Sequence, residues 1–150
     1  MMSSQSRSVS AAQLKFQGFE KPAPQPPLLT IYTHGIPNPQ GKCCFWSWVA
    51  FDRDNKRVAA DNGVHSDTHG ISTNVAKFHA LIEALSWIAV NEPDTPVDVL
   101  CDLELAVRCI KGVWKASQPE IRMLCQTARQ YLSRTKATLV WIPHEQNKAA

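Results

Sequence analysis

From Leu28 onward, apolar and polar positions fall into segments of two different periods. Leu28 to Thr33 is a short β-rich run that reads as a first strand. It stops at His34-Gly35, where Pro37 and Pro39 oppose further sheet pairing. Cys43 to Asp52 (CCFWSWVAFD) is apolar on both alternating faces, as expected of a strand covered on both sides. Asp54-Asn55-Lys56 makes a turn, and Arg57 to Val64 reads as a third strand returning antiparallel. Gly63 within it marks a bulge or a frayed end.

The period then changes. Between Asn74 and Asn91, Phe78, Leu81, Ile82, Leu85, Ile88 and Ala89 recur at the spacing of one buried helical face, and Pro93 ends the helix. Val97 to Cys101 (VDVLC) is a fourth strand that runs directly into Asp102 and a short helix stopped by Gly112. Ser117-Gln118-Pro119-Glu120 has the spacing of a capping box with proline in the first turn, opening a helix to about Leu132. Ala137 to Ile142 is a fifth strand closed by Pro143, and the stub HEQNKAA follows. The order βββαβααβ predicts an α/β domain over residues 28–150, ending in that stub. The Ser- and Pro-rich residues 1–27 predict a flexible tail ending in an extended linker, a better match than an organelle-targeting leader.

Composition narrows this picture. At 44% hydrophobic and 19% charged, the 150 residues describe a globular chain with a sizeable core. A net charge of +3 permits a nucleic-acid partner without demanding one. No apolar run approaches the roughly 18 residues that a membrane span needs. Cys43, Cys44, Cys101, Cys109 and Cys125 are odd in number, form no CxxC pair and sit in apolar segments. They read as reduced thiols in an intracellular compartment, cytoplasmic or nuclear.

Four segments then agree, in order, with one family. IYTHGIPNPQG resembles a first strand in which Tyr-Thr-Asp-Gly leads into an Asn-Pro loop. STNVAKFHALIEAL resembles the Thr-Asn-Asn-x-Ala-Glu opening of a long helix. VLCDLELAVRCIKGVW resembles a strand-end Asp that starts the next helix. LVWIPHEQNKAA resembles a closing strand followed by Arg-Glu-x-Asn-x-x-Ala-Asp. Over 28–150 the chain thus resembles the type 1 ribonuclease H family and its reverse-transcriptase-associated relatives. That resemblance implies a central five-stranded mixed sheet, strands 1–3 antiparallel and 4–5 parallel, flanked by helices, of which the last would be cut short. It also implies two divalent metals held by clustered carboxylates, cleaving the RNA strand of an RNA/DNA hybrid.

Residue by residue, the acids depart from this pattern. His34 stands at the first aspartate position, Lys77 at the helix glutamate position, and Asp102 matches its aspartate. The last aspartate would follow Ala149-Ala150. Four carboxylates carry −4, whereas neutral His34, Lys77 (+1) and Asp102 (−1) sum to 0. An ammonium in place of a carboxylate roughly 5 Å from a divalent ion costs on the order of 10 kcal/mol at an effective dielectric of about 20.

Asp102 is therefore the one candidate catalytic or metal-ligating carboxylate, and it also reads as an N-cap. His34 reads as a polar filler of a vacated acid position. A zinc site from His34, Asp102 and one of His65, His69 or His79 is the sharper, less favoured alternative. Lys77 is open to two readings, a solvated lysine or a phosphate contact. Arg108, Lys111 and Lys115 form a basic set that reads either as a solvated face or, as the resemblance implies, as a contact to a nucleic-acid backbone; Trp114 beside them either packs in the core or stacks on a nucleotide. Asn38 in the Asn-Pro loop and Ser72, Thr73 and Asn74 at the helix start are the further nucleic-acid contacts that the resemblance implies. For the helix-start residues, N-capping by Thr73 or Asn74 is the structural alternative, and Trp46, Trp48 and Trp87 read as core.

The expected function is binding of an RNA/DNA hybrid or duplex backbone without competent two-metal hydrolysis and with no cofactor. One alternative is an active or residual ribonuclease H dependent on Mg2+ or Mn2+. Another is a protein-interaction domain whose partner covers the incomplete C-terminal face.

Overall fold

The computed structural model describes residues 26–67 and 70–150, so the expected tail lies outside the described residues but for its last two. The elements run β1 (Leu29–Pro37), β2 (Cys43–Phe51), β3 (Arg57–Ser66), α1 (Thr73–Asn91), β4 (Pro96–Cys101), α2 (Glu104–Ile110), α3 (Pro119–Leu132) and β5 (Lys136–Trp141). A single 3-10 turn, His144–Gln146, follows. The strands form one mixed sheet ordered β3-β2-β1-β4-β5. β1–β2 and β2–β3 pair antiparallel, and β1–β4 and β4–β5 pair parallel.

One face of the sheet carries the core. Ile31 and Thr33 of β1, Trp48 and Ala50 of β2, and Val97 and Val99 of β4 are buried beneath α1. From α1, Phe78, Leu81, Leu85 and Ile88 are fully buried against them, while Ile82 and Ala89 lie at the flank. Each large side chain so buried contributes about 1.5–3 kcal/mol. Trp48 and Trp87 pack with ring centroids 4.8 Å apart, as core residues should. Gly35 is where β1 meets α1: a Cβ there would stand 2.2 Å from the Ala76 carbonyl oxygen. Only glycine lets strand and helix approach so closely.

Several local expectations change. β1 does not stop at Thr33; it pairs with β2 as far as Pro37↔Cys44. Its parallel pairing with β4 does end at Thr33↔Cys101. His34 thus lies inside a strand, beside the notch left where β4 stops. β2 is buried mainly on its α1 side, with Phe45 44% exposed on the other, so it is not a strand covered on both sides. Gly63 is no bulge: it pairs in register with Trp46, whose indole occupies the space a Cβ would need, and the register shift falls at Ala50/Phe51 instead.

Ser117 caps nothing. Gln118 is the N-cap of α3 and makes no side-chain cap bond, while Arg122 draws in the carbonyl of Ser117 at 2.8 Å. Pro119 does occupy the first turn. All five cysteines are unbridged, and four are buried. No described helix is long and apolar enough to cross a membrane.

The second face of the sheet carries no described helix. Tyr32 and Phe51 meet edge-to-face at 5.8 Å there, and the Lys148 ammonium lies 4.8 Å from the Phe51 ring and 2.9 Å from Asn55 Oδ1. Ser47 donates to the Ala149 carbonyl at 3.4 Å. The C-terminal residues therefore cross β1 and β2, which brings His144 and Asn147 to the notch beside His34.

Candidate active site

Asp102 follows the last residue of β4, and its side chain is only 1% exposed. It does not cap α2; Leu103 is the N-cap, without a side-chain bond. The carboxylate turns instead toward three partners. Lys77, the fifth residue of α1, sets its ammonium 2.8 Å from Oδ1. His144 Nδ1 lies 2.9 Å from Oδ2. Asn147 Nδ2 donates to Oδ2 at 3.1 Å and to the Thr33 carbonyl at 2.8 Å, tying the C-terminal turn to β1. Burial alone would raise the Asp102 pKa, but the hydrogen bonds from Lys77, His144 and Asn147 outweigh it and hold the carboxyl below its usual range. Asp102 is thus ionised at neutral pH, so the His144 Nδ1–H donates to it.

His34 completes the cluster. Its Nδ1 is buried, has no hydrogen-bond partner and lies 3.9 Å from Asp102 Oδ2. Its ring centroid is 5.7 Å from that of His144. Burial lowers the His34 pKa by more than the Asp102 charge raises it, and Lys77 and His144 lower it further. The imidazole is neutral at pH 7. On the same sheet face His34 opens onto a groove of about 230 Å³ lined by Ile36, Phe45, Ser47, Asn62 and Val64.

Of the two readings of Lys77, the solvated lysine is the one its surroundings oppose. Its side chain is 17% exposed and committed to Asp102, so it is not a solvated lysine. Of the third zinc ligands considered, His65 and His79 stack on each other at 3.8 Å and are not in this cluster, and His69 is outside the described residues. Among described residues, the histidine beside His34 and Asp102 is His144. Sequence reasoning missed both His144 and Asn147. The signal was present, because HEQN falls on the Arg-Glu-x-Asn element of the resemblance, and an asparagine there can tie the turn to the strand.

The expected nucleic-acid contacts divide into two sets. Ser72 is the N-cap of α1, accepting from Val75 N at 3.2 Å, so it rather than Thr73 or Asn74 does the capping. Thr73 and Asn74 are exposed beside it. Asn38 organises the turn after β1, its Oδ1 accepting from Gln40 N at 2.8 Å.

The second set flanks a cavity of about 530 Å³ between α2 and α3, lined by Trp114, Lys115, Arg122, Gln126 and Arg129. α2 ends at Ile110, and Gly112 takes a left-handed φ of 81° that ends the helical path before Lys115. Arg108 pairs with Glu104 at 2.8 Å and lies over the Trp114 ring at 5.2 Å. Trp114 is 44% exposed, so it is not core. Arg122 is spent on the Ser117 carbonyl before α3 and Arg129 on carbonyls in the last turn of α2, whereas Lys111 and Lys115 stand exposed.

Comparison with known proteins agrees with this architecture. The sequence profile of the reverse transcriptase-like family matches residues 47–150. No curated protein matches in sequence. Among solved structures, the ribonuclease H1 of Halobacterium salinarum aligns with a TM-score of 0.71 at 22% identity, over 81% of this chain and 90% of that one. LC11-RNase H1, isolated from compost and solved with an RNA/DNA hybrid, aligns at 0.70 and 24% identity, over 80% and 88%. The N-terminal ribonuclease H domain of Rv2228c from Mycobacterium tuberculosis aligns at 0.66 and 21% identity, over 79% and 84%. With its sheet order, its strand-end Asp102 and a profile match over more than half its length, the chain belongs to the reverse transcriptase-like family and has the type 1 ribonuclease H fold.

Proposed function

We propose that residues 28–150 form a ribonuclease H-like domain that binds an RNA/DNA hybrid or duplex through its backbone and lacks two-metal hydrolysis. The Lys77–Asp102 ion pair is the observation that carries this reading. A pair of magnesium ions needs several anionic oxygens converging on one point. Here one carboxylate converges, and an ammonium already occupies it. The residues at the site do not fit that metal pair.

The nucleic-acid part rests on different residues. Thr73 and Asn74 at the start of α1, with Lys111, Lys115 and Trp114 beyond α2, give polar and cationic contacts suited to phosphate and sugar. The hybrid bound by LC11-RNase H1 supports the choice of ligand. The unbridged cysteines favour a reducing compartment.

Fluorescence anisotropy with a labelled RNA/DNA hybrid at rising salt tests the binding half. Affinity should fall linearly on a log–log plot, and Lys111→Gln and Lys115→Gln should each lower the slope by about 1. Absence of binding at low salt overturns it. Cleavage of the hybrid in Mg2+ or Mn2+, abolished by Asp102→Asn, overturns the other half.

A protein partner on the open face is the second reading. Ile36, Phe45 and Val64 pair across β1, β2 and β3 and are 47%, 44% and 59% exposed. A nuclease-resistant complex lost on Phe45→Ser would favour it.

A further inference from the structure

We propose that His34, Asp102 and His144 form a mononuclear site for a borderline divalent metal such as Zn2+, in place of the magnesium pair of the fold. One ligand atom from each residue lies within 4.8 Å of the others. Tetrahedral zinc with bonds of about 2.0–2.1 Å places its ligands roughly 3.3 Å apart. His34 Nδ1 and Asp102 Oδ2 are 3.9 Å apart, and His144 Nδ1 and Asp102 Oδ2 are 2.9 Å apart, bracketing that spacing. The third edge, between the two imidazoles, is within 4.8 Å and has to close toward that spacing by up to about 1.5 Å, a motion the exposed His144 ring can make.

Further features suit a metal. His34 Nδ1 is a buried nitrogen without a partner, and a metal would satisfy it. The ion would take the place of the His144 Nδ1–H that now points at Asp102 Oδ2; on binding, the neutral imidazole moves that one proton from Nδ1 to Nε2, leaving the Nδ1 lone pair free to ligate. His144 is 63% exposed, so the site opens to solvent and the fourth position faces water or a phosphate oxygen. Lys77 holds Oδ1, not Oδ2, leaving Asp102 monodentate with its other oxygen bonded to a neighbouring side chain, as ligating carboxylates usually are. Two imidazoles and one carboxylate favour Zn2+ or Co2+ over Mg2+, which prefers oxygen alone.

The same lysine opposes the ion by its charge. It sets the sign of the most telling variant, because neutralising it should tighten binding. The inference rests on the reading that magnesium chemistry has been replaced here, but it is tested without nucleic acid, so either can fail while the other stands.

Zn2+ titrated calorimetrically into the reduced full chain should bind at one equivalent, with no competition from millimolar Mg2+. Co2+ in its place should give visible d–d bands without the near-ultraviolet charge-transfer bands of thiolate ligation. His34→Gln and His144→Gln should each weaken Zn2+ binding at least about tenfold, and Lys77→Gln should tighten it. His144 is exposed enough that its variant folds. Absence of Zn2+ binding by the wild-type chain, binding unchanged in both histidine variants, or a thiolate spectrum would overturn the proposal.

Discussion

The ammonium of Lys77 and the carboxylate of Asp102 lie 2.8 Å apart at the junction of α1 and β4, with the carboxylate almost wholly buried. Such a pair is costly to break from one side, because the partner left behind keeps its burial and loses its counter-charge. Lys77→Met should therefore destabilise the domain by about 2–3 kcal/mol in urea unfolding. The double variant Lys77→Met/Asp102→Asn should recover part of that loss, the difference measuring the coupling. A single variant as stable as wild type would mean that the pair is solvated and contributes nothing.

Gly35 decides how closely α1 sits on the sheet. With a Cβ placed 2.2 Å from the Ala76 carbonyl oxygen, Gly35→Ala forces either strand or helix backbone to move. Overpacking of this kind costs about 1–3 kcal/mol. The displacement acts one residue from both His34 and Lys77, so Zn2+ affinity should drop with stability. A surface control such as Gly41→Ala meets no atom within 4 Å, though its φ of 77° adds some strain, and it should leave metal affinity unchanged.

His79 gives the domain an acid-sensitive element away from the site. Its ring stacks on His65 at 3.8 Å, and burial, then the neighbouring His65 charge, push its pKa down to about 4 against the opposing pull of Asp67. The folded state therefore holds fewer protons than the unfolded chain between about pH 6.5 and 4. Stability from this residue is full above that window and is lost as pH falls through it. Allowing for solvent screening of a partly exposed ring, the loss is on the order of 1–2 kcal/mol. His79→Phe keeps a stacking ring without a titration. Its unfolding free energy should be flatter than wild type from pH 6.5 to 4.

The fold was legible because its signals are local and repeated: helical periodicity in α1, β-rich runs bounded by Asn, Gly and Pro, and Asp102 at a strand end. His34 and Lys77 were legible as departures from an acid pattern. What each does was not, because contact partners are set by register. That β4 stops beside Thr33 while β1 continues to Pro37 creates the notch, and no single segment encodes that offset. Asp102 likewise read as a helix cap from its place in sequence, yet Lys77, His144 and Asn147 outcompete the helix amides for it. His144 lies 42 residues from Asp102 and 110 from His34, and only the return of the chain after β5 joins them.

Restoring the acids tests whether the ribonuclease H frame is otherwise intact. His34→Asp with Lys77→Glu changes the local sum from 0 (neutral His34, Lys77 +1, Asp102 −1) to −3. Three carboxylates converging on a buried point repel one another, so the double variant should be less stable than wild type in the presence of a chelator. Mg2+ then acts as a ligand for the folded state alone. At about 100 times its dissociation constant it should return roughly 2.7 kcal/mol, read as a rise in the thermal midpoint. Wild type, with Lys77 on its one carboxylate, should show no such rise. If Mg2+ fails to stabilise the double variant, then more than side-chain identity separates this notch from a metal-binding one, and the backbone around Thr33 and Cys101 is where the difference would lie.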